Sequence, residues 1–361
     1  MKKYLLSITL FAAFAVGVTA QDFIFNQFQS APQLFNPAAT GLMEAGQYRV
    51  AGFFRGQWDT PGAANSYAGA GAAFDYRTCS KRLFFWSLGV TAQHDRAGLA
   101  SWQNTRGGLS AALHRRFGYN MGAAAGFSAG VLNFGFRNNG LLFDEQFDNG
   151  AGVFNPGTDN GESFSGLSAT RFDLSSGLIL YSVEQPGGRR RNIWSTGLAF
   201  HHLTRPQYSL LGNDDQNLGI GMTLHAAGEL RFGKHNQRAL GYRAMFRKQS
   251  LNWTWGRPPA NPQWNSLQWQ GLAGISGRLF FDNKTDSRVS AGLAVRAAGR
   301  YGGFLIDAII PSITVGSREW SFGLSYDANT TRLPDRLLGG LEMTFWKTFG
   351  KAGNCVVCPG G

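Results

Sequence analysis

The chain has 361 residues, 49 of them glycine, with 14% aromatics and a formal net charge of +12. Past residue 20 no apolar run approaches the roughly 20 residues that a membrane-spanning helix needs, which excludes a helical membrane protein. Glycine and aromatics at this level, with a mean hydropathy of −0.19, are unusual for a soluble globule and point instead to a barrel or propeller of many short strands.

Residues 1–20 read as a signal peptide. Lys2 and Lys3 form a basic start, Leu5 to Val18 an apolar core, and Val18-Thr19-Ala20 a small-residue cleavage pattern, so the mature chain is expected to begin at Gln21. No cysteine stands at the cleavage point, which argues against a lipoprotein. An exported chain without helical spans is either soluble or a closed barrel, because bilayer hydrocarbon tolerates no unpaired strand edge.

Residues 21–46 form an N-terminal segment expected in the periplasm or the lumen of a barrel, and alternation dominates from 47 to 350. In "WSFGLSYDAN", Trp320, Phe322, Leu324 and Tyr326 fall on one side of an extended chain, and Ser321, Gly323, Ser325 and Asp327 on the other. The same pattern sets Phe84, Trp86, Leu88 and Val90 apart from Phe85, Ser87, Gly89 and Thr91, and Leu341, Met343 and Phe345 apart from Glu342 and Thr344. About fourteen such segments of around ten residues suit an even-numbered, antiparallel outer-membrane β-barrel. Their cores are 47–57, 66–77, 82–93, 102–115, 120–134, 168–182, 192–202, 218–233, 238–250, 265–280, 287–299, 303–315, 319–328 and 338–349.

Loop lengths give an independent argument. If the first strand leaves the periplasm, the periplasmic turns are short, as in "RRFGYN" and "GSREW", and the outside set includes 135–167, 203–217, 251–264 and 329–337. A soluble propeller has no reason to alternate loop lengths in this way, so the fold class expected is all-β, a transmembrane barrel. The turns collect cations, among them Arg77, Arg82, Arg116, Arg189, Arg190, Arg191 and Arg288. Arg82, Arg116 and Arg189–Arg191 are candidates for a basic rim that docks a partner, against the plainer reading of headgroup contact. No DNA- or RNA-binding signature accompanies the positive charge, so no nucleic-acid partner is expected.

Several features imitate chemistry. "GFSAG" matches a nucleophile elbow at Ser128, but it sits inside an alternating strand rather than on a strand-to-helix turn. Adjacent His201 and His202 would face opposite sides of a strand and could not share a metal. Asp144 and Asp148 begin a calcium-like loop whose twelfth position is Asn155, not Glu. Asp173, His225, Arg296, Asp307, Asp327 and Glu342 fall at or near wet-face positions, where an internal ladder of charge pairs or a polar solute path would place them. No catalytic residue, cofactor or metal is expected. In the tail, 351–361, Cys355 and Cys358 could be a redox pair, half a zinc site or disulfide partners, one of them for Cys79.

The quoted stretches resemble the PorP/SprF family of outer-membrane proteins. "FNQFQSAPQLFNPAATG" is similar to the family's opening, through Asn36, Pro37 and Gly41. "RFDLSSGLILYS" and "GLAFHHLTRPQYSL" are similar to its Asp-x-x-x-Gly and His-Leu-x-x-Pro elements, through Asp173, Gly177, His202 and Pro206. "FGLSYDAN" and "GGLEMTF" are similar to its final strands, through Tyr326, Asp327 and Glu342. The tail departs from the family pattern by ending in two glycines after Cys358-Pro359, and Phe345, Trp346 and Phe349 are candidates for the terminal aromatic signal of barrel assembly. The resemblance implies a Gram-negative outer-membrane accessory of type IX secretion and gliding. Such a protein supports export or surface attachment of adhesin-like cargo and contacts outer-membrane lipids, periplasmic machinery and the cargo itself. A passive porin for small solutes is the alternative, since the strand pattern serves both.

Overall fold

A computed structural model describes residues 25–57, 67–78, 83–98, 101–117, 120–136, 143–148, 150–155, 157–159, 168–183, 192–210, 217–233, 237–249, 268–282, 286–300, 303–330 and 339–350. The first five strands are β1 (Tyr48–Gln57), β2 (Tyr67–Arg77), β3 (Phe84–Ala97), β4 (Trp102–Phe117) and β5 (Met121–Gly135). A short hairpin, β6 (Phe147–Asp148) and β7 (Val153–Phe154), interrupts the series. It continues with β8 (Ser168–Ser182), β9 (Asn192–His201), β10 (Gly221–Phe232), β11 (Arg238–Gln249) and β12 (Gln268–Asp282). Then come β13 (Ser287–Arg300), β14 (Gly303–Gly316), β15 (Trp320–Asn329) and β16 (Gly340–Phe349).

Apart from the hairpin, these strands form one closed antiparallel barrel of fourteen, each bonded to its sequence neighbours and β1 to β16. The closing register runs from Tyr48 opposite Phe349 to Gln57 opposite Gly340. Each of the fourteen segments read from alternation carries one strand. The hairpin, inside the long 136–167 connection, was not expected. With two residues per strand it is too short for period-2 patterning to register.

Burial follows the alternation. In β3, Phe84, Trp86, Leu88 and Val90 are exposed, whereas Phe85, Ser87 and Gly89 are buried. In β15, Trp320, Phe322 and Tyr326 are exposed and Ser321, Gly323, Ser325 and Asp327 buried. An outward apolar band on a closed barrel meets lipid. Placing a charge there has a depth-dependent penalty. Leu109, central in β4 and 65% exposed, is such a site, and Leu109→Arg is expected to destabilise the barrel by about 2–4 kcal/mol in bilayers. Urea unfolding in lipid vesicles checks this, and an unchanged midpoint would remove lipid contact from this face.

The connections alternate in length. One end carries 78–83, 118–120, 183–191, 233–237, 283–286 and 317–319, and the other carries 136–167, 202–220 and 250–267 among its loops. In outer-membrane barrels the short turns face the periplasm, and Tyr48 and Phe349 lie at this short-turn end. Phe349 stacks on Tyr48 with ring centroids 5.4 Å apart, and Phe345 also faces outward, whereas Trp346 turns inward and is buried.

Two seams are short of ladder bonds. The β14–β15 pairing lapses at Ile310 and Pro311 and resumes in the same register, as a residue without an N–H requires. β8 and β9 pair only from Ser176 opposite Phe200 to Tyr181 opposite Ser195. The segment after β9 completes the upper edge of β8: Leu203 N donates to the Leu174 carbonyl at 2.9 Å, and Thr204 Oγ1 donates to the Phe172 carbonyl at 3.1 Å.

The interior is filled by the chain's own N-terminal strap, Phe25–Gly46. Three 3-10 turns, Phe28–Ser30, Pro32–Leu34 and Pro37–Ala39, keep it compact. Asn36 caps the last one in an extended conformation, accepting from Ala38 N at 2.9 Å with Pro37 at the first helical position. Phe25, Phe28 and Phe35 pack with Phe53, Met245, Leu272, Ile310 and Trp346. Ala38, Ala39 and Leu42 pack with Phe85, Ala124, Ile179 and Tyr181. The fold therefore has its apolar core inside the barrel as well as its apolar belt outside.

Candidate functional site

The site is the groove in which the strap sits, and it is built at three levels. Nearest the outer end, Asn26 N and Gln27 N each donate to one oxygen of Glu342, both at 2.8 Å. The Asn26 amide also donates to Asp327. Asp327 is held in turn by Arg55 at 2.5 Å and Arg296 at 2.6 Å, and Arg296 reaches Asp307 at 2.8 Å. Asp327 and Glu342 are both 0% exposed. Buried carboxylates persist only when paired and hydrogen-bonded, and here the strap backbone supplies part of the pairing.

At the middle level Asn36 Nδ2 donates to the Leu178 carbonyl and to His225 Nε2, both at 3.0 Å. Because the Asn36 oxygen is taken by Ala38 N, the amide orientation is fixed and His225 Nε2 acts as the acceptor. Nearer the periplasm, Ser87 Oγ donates to the Thr40 carbonyl at 2.6 Å, and His114 Nε2 donates to it at 2.9 Å. Gly41 N donates to Asp75 at 2.6 Å. Arg49 clasps Asp75 with two bonds of 2.8 and 2.9 Å while donating to the Leu42 carbonyl and Gln33. Arg77 donates to the carbonyls of Met43 and Gly46, and Arg288 pairs with Glu44 at 3.1 Å.

The wall is carved for the strap by missing side chains. A Cβ at Gly126 would stand 2.4 Å from the Pro37 and Ala38 backbone. One at Gly177 would meet Asn36 Oδ1 at 2.0 Å, and one at Gly323 would meet Gln27 Oε1 at 2.1 Å. Gly41 itself has φ of +76° and packs against Ser87, a position where only glycine fits without strain.

Of the positions the sequence singled out, Asn36, Pro37, Gly41, Gly177, Asp327 and Glu342 all converge on this groove. Asp173 and His202 meet each other, with Nδ1 to Oδ2 at 2.8 Å. Pro206 is buried nearby, its carbonyl accepting from Leu218 N at 3.0 Å. Tyr326 faces lipid, and its hydroxyl accepts from Gly339 N at 3.1 Å. Among the wet-face residues, Arg296 pairs with Asp307 and Asp327, whereas His225 and Glu342 bond to the strap.

Three readings change. His201 and His202 do not face opposite sides: the chain leaves β9 at His201, His202 adopts φ of +57°, and both rings are buried. The strand rule fails because one left-handed residue ends the alternation. Arg77 and Arg288 are drawn inside the barrel rather than standing on a rim, because the strap's carbonyls and Glu44 bind them. Arg116 lies within β4, half-buried on the inward face. Arg82, Arg189, Arg190, Arg191, Cys79, Cys355 and Cys358 lie outside the described residues, as do the leader and the tail.

Ser128 sits mid-strand in β5 between Ser110 and Ser175, far from any strand-to-helix turn. Asp148 is a turn acceptor for Gly150 N and Ala151 N. Sequence reasoning missed Asn26, Gln27, Arg49, Arg55 and Asp75. The last three carried a readable signal, a charge on the inward phase of an alternating strand.

Comparison with known proteins follows the same line. The family described as "Type IX secretion system membrane protein PorP/SprF" matches residues 18–345. No curated protein matches the chain. Among solved structures, a FadL homologue from Pseudomonas aeruginosa is 13% identical, with a TM-score of 0.42, covering 87% of this chain and 93% of its own. BamA from Haemophilus ducreyi lacking POTRA domains 1-3 is 11% identical, with a TM-score of 0.40, covering 84% of this chain and 70% of its own. The match spans the strap, β1 to β15 and the first part of β16, and the chain belongs to the PorP/SprF family of type IX secretion system membrane proteins.

Proposed function

We propose that this barrel is a closed, non-enzymatic accessory of type IX secretion in the outer membrane. It supports export or surface attachment of adhesin-like cargo and contacts periplasmic parts of the machinery. The observation that carries this reading is the strap. A lumen occupied from Phe25 to Gly46, with its wall glycines placed against Pro37, Asn36 and Gln27, is poorly suited to passive solute flow. Work then falls to surfaces, the cationic turns and the outside loops, and no reacting group is required.

Two measurements separate this reading from the porin. In planar bilayers the wild-type barrel is expected to pass no steady current, and in membrane extracts it is expected to copurify with other secretion components. A large steady conductance without copurification would favour the porin. Charge reversal at Arg189–Arg191 is expected to weaken recovery of the periplasmic partner, and unchanged recovery would remove the basic rim from the account.

A further inference from the structure

The apolar band that meets lipid ends differently on two sides of the barrel. On one side Phe246, Trp269 and Phe304 form a run of stacked rings at the outer end, with centroids 6.0 and 5.7 Å apart, as an aromatic girdle does where a barrel leaves hydrocarbon. Across β3, β4, β5 and β8 the same margin is polar. His94 stands opposite Thr105, Thr105 opposite Asn133, and Asn133 opposite Thr170, so the four form one outward row. His94 Nδ1 and Thr105 Oγ1 are hydrogen-bonded at 2.8 Å, and Asn133 Nδ2 donates to Thr170 Oγ1 at 2.8 Å. Arg96 is exposed at the next outward position of β3, opposite Gln103.

Two observations put this row at the headgroup level rather than in open water. The first is height. At the inner end of the same strands Arg115, opposite Phe84, lies over the Phe84 and Phe117 rings, 5.3 and 5.1 Å from their centroids. From Phe84 to His94 the strand covers about 33 Å, and a tilt of about 40° turns that into roughly 25 Å of climb, the height of an outer-membrane barrel's apolar band. The second is continuity. Directly beneath the row stand Ala92, Gly107, Val131 and Phe172, so the row rests on the lipid-facing belt with no polar step between.

Hydroxyls, an amide, an imidazole and a guanidinium have more donor and acceptor positions than these two bonds use. A partner with acyl chains below and an oxygen-rich head above fits both the row and the belt, whereas a soluble protein fits only the row. We propose that this margin binds the headgroup of an outer-leaflet glycolipid of the lipid A class, a phosphorylated, acylated sugar. Sugar hydroxyls and amides exchange hydrogen bonds with Thr105, Asn133 and Thr170, Arg96 takes a phosphate, and the acyl chains descend over Ala92, Gly107 and Val131. The site is separate from the strap and from any secretion role.

The test uses the mature, full-length barrel in detergent, with purified lipid A and with phosphatidylglycerol, which has a phosphate but no sugar. Binding is followed by native mass spectrometry and by the thermal midpoint of the folded band on gels. Lipid A is expected to bind about tenfold or more tighter than phosphatidylglycerol at equal phosphate, the effect of a few added hydrogen bonds. Thr105→Val combined with Asn133→Val, which keeps good strand formers on the outward face, is expected to lower lipid A affinity about tenfold and leave phosphatidylglycerol unchanged. Arg96→Gln is expected to weaken both lipids. Trp269→Leu, on the aromatic side, is the control and is expected to keep lipid A affinity. Equal affinity for the two lipids, undiminished lipid A binding in the folded double variant or in folded Arg96→Gln, or an equal loss in Trp269→Leu would overturn the proposal.

Discussion

Gly126→Val is expected to assemble as a barrel yet pass a steady ionic current where the wild type passes none. The argument rests on what the new side chain meets. Gly126 lies in the middle of β5, paired with Ala112 and Gly177, and valine suits a strand. The sheet itself therefore loses little. The strap loses its place, because a Cβ there stands 2.4 Å from the Ala38 nitrogen and the Pro37 carbonyl carbon. Those are backbone atoms and cannot rotate aside.

Overpacking of this kind costs about 1–3 kcal/mol when structure must shift. The strap, which lies outside the sheet's ladder of strands, is the element that shifts. Gly277→Val is the control. It lies on the outward face of β12, and a Cβ there has nothing within 4 Å. A silent Gly126→Val barrel of normal stability would mean that the groove tolerates bulk, and the fit between strap and wall would lose its meaning.

Removing the carboxylate at the outer level should have the largest effect on stability. Asp327 accepts from Arg55, Arg296 and Asn26, and all four residues are buried. Asp327→Ala strips a carboxylate from two buried guanidiniums at once, and breaking a buried pair in this way costs about 3–5 kcal/mol. Asp173→Ala removes a more exposed partner, held by His202 and Thr204, and should cost less, about 1–3 kcal/mol. Urea titration of both variants in lipid vesicles, followed by tryptophan fluorescence, compares them directly. A smaller loss for Asp327→Ala than for Asp173→Ala would show that the outer network contributes little to holding the barrel.

The barrel was legible because lipid outside and a polar interior impose a period of two on every strand, and that period survives in the bare sequence. Trp320 to Asp327 and Phe84 to Val90 are enough to read it. The ends of strands were less legible. β3 runs on to Ala97 through His94, Asp95 and Arg96, where polar side chains on both faces hide the alternation.

The segment before β1 was legible only as a periplasmic or lumenal stretch, without its turns or contacts. Its 3-10 turns have no long period, and it is held by capping, buried amides and wall glycines that are distant in sequence. "NPAA" does carry a local signal, an Asn cap followed by proline at the first helical position, but nothing local says that His225 and Leu178 receive the Asn36 amide. The pairing of Asp173 with His202 was equally hidden, since it depends on the left-handed residue that ends β9.

The strap is bound at its far end by strands made last. Asn26 and Glu342 are 316 residues apart in the chain, and Gln27 and Ser325 are 298 apart. Bringing such distant partners together incurs loop-closure entropy before any bond repays it, which makes this contact a late and slow event in assembly. A polypeptide stalled before β15 and β16 has no acceptors for the Asn26 and Gln27 amides, so the lumen cannot be sealed at that level until the last hairpin is in place. Sealing therefore reports completeness: a finished molecule is tight, and an unfinished one is recognisable by an unlatched N-terminus.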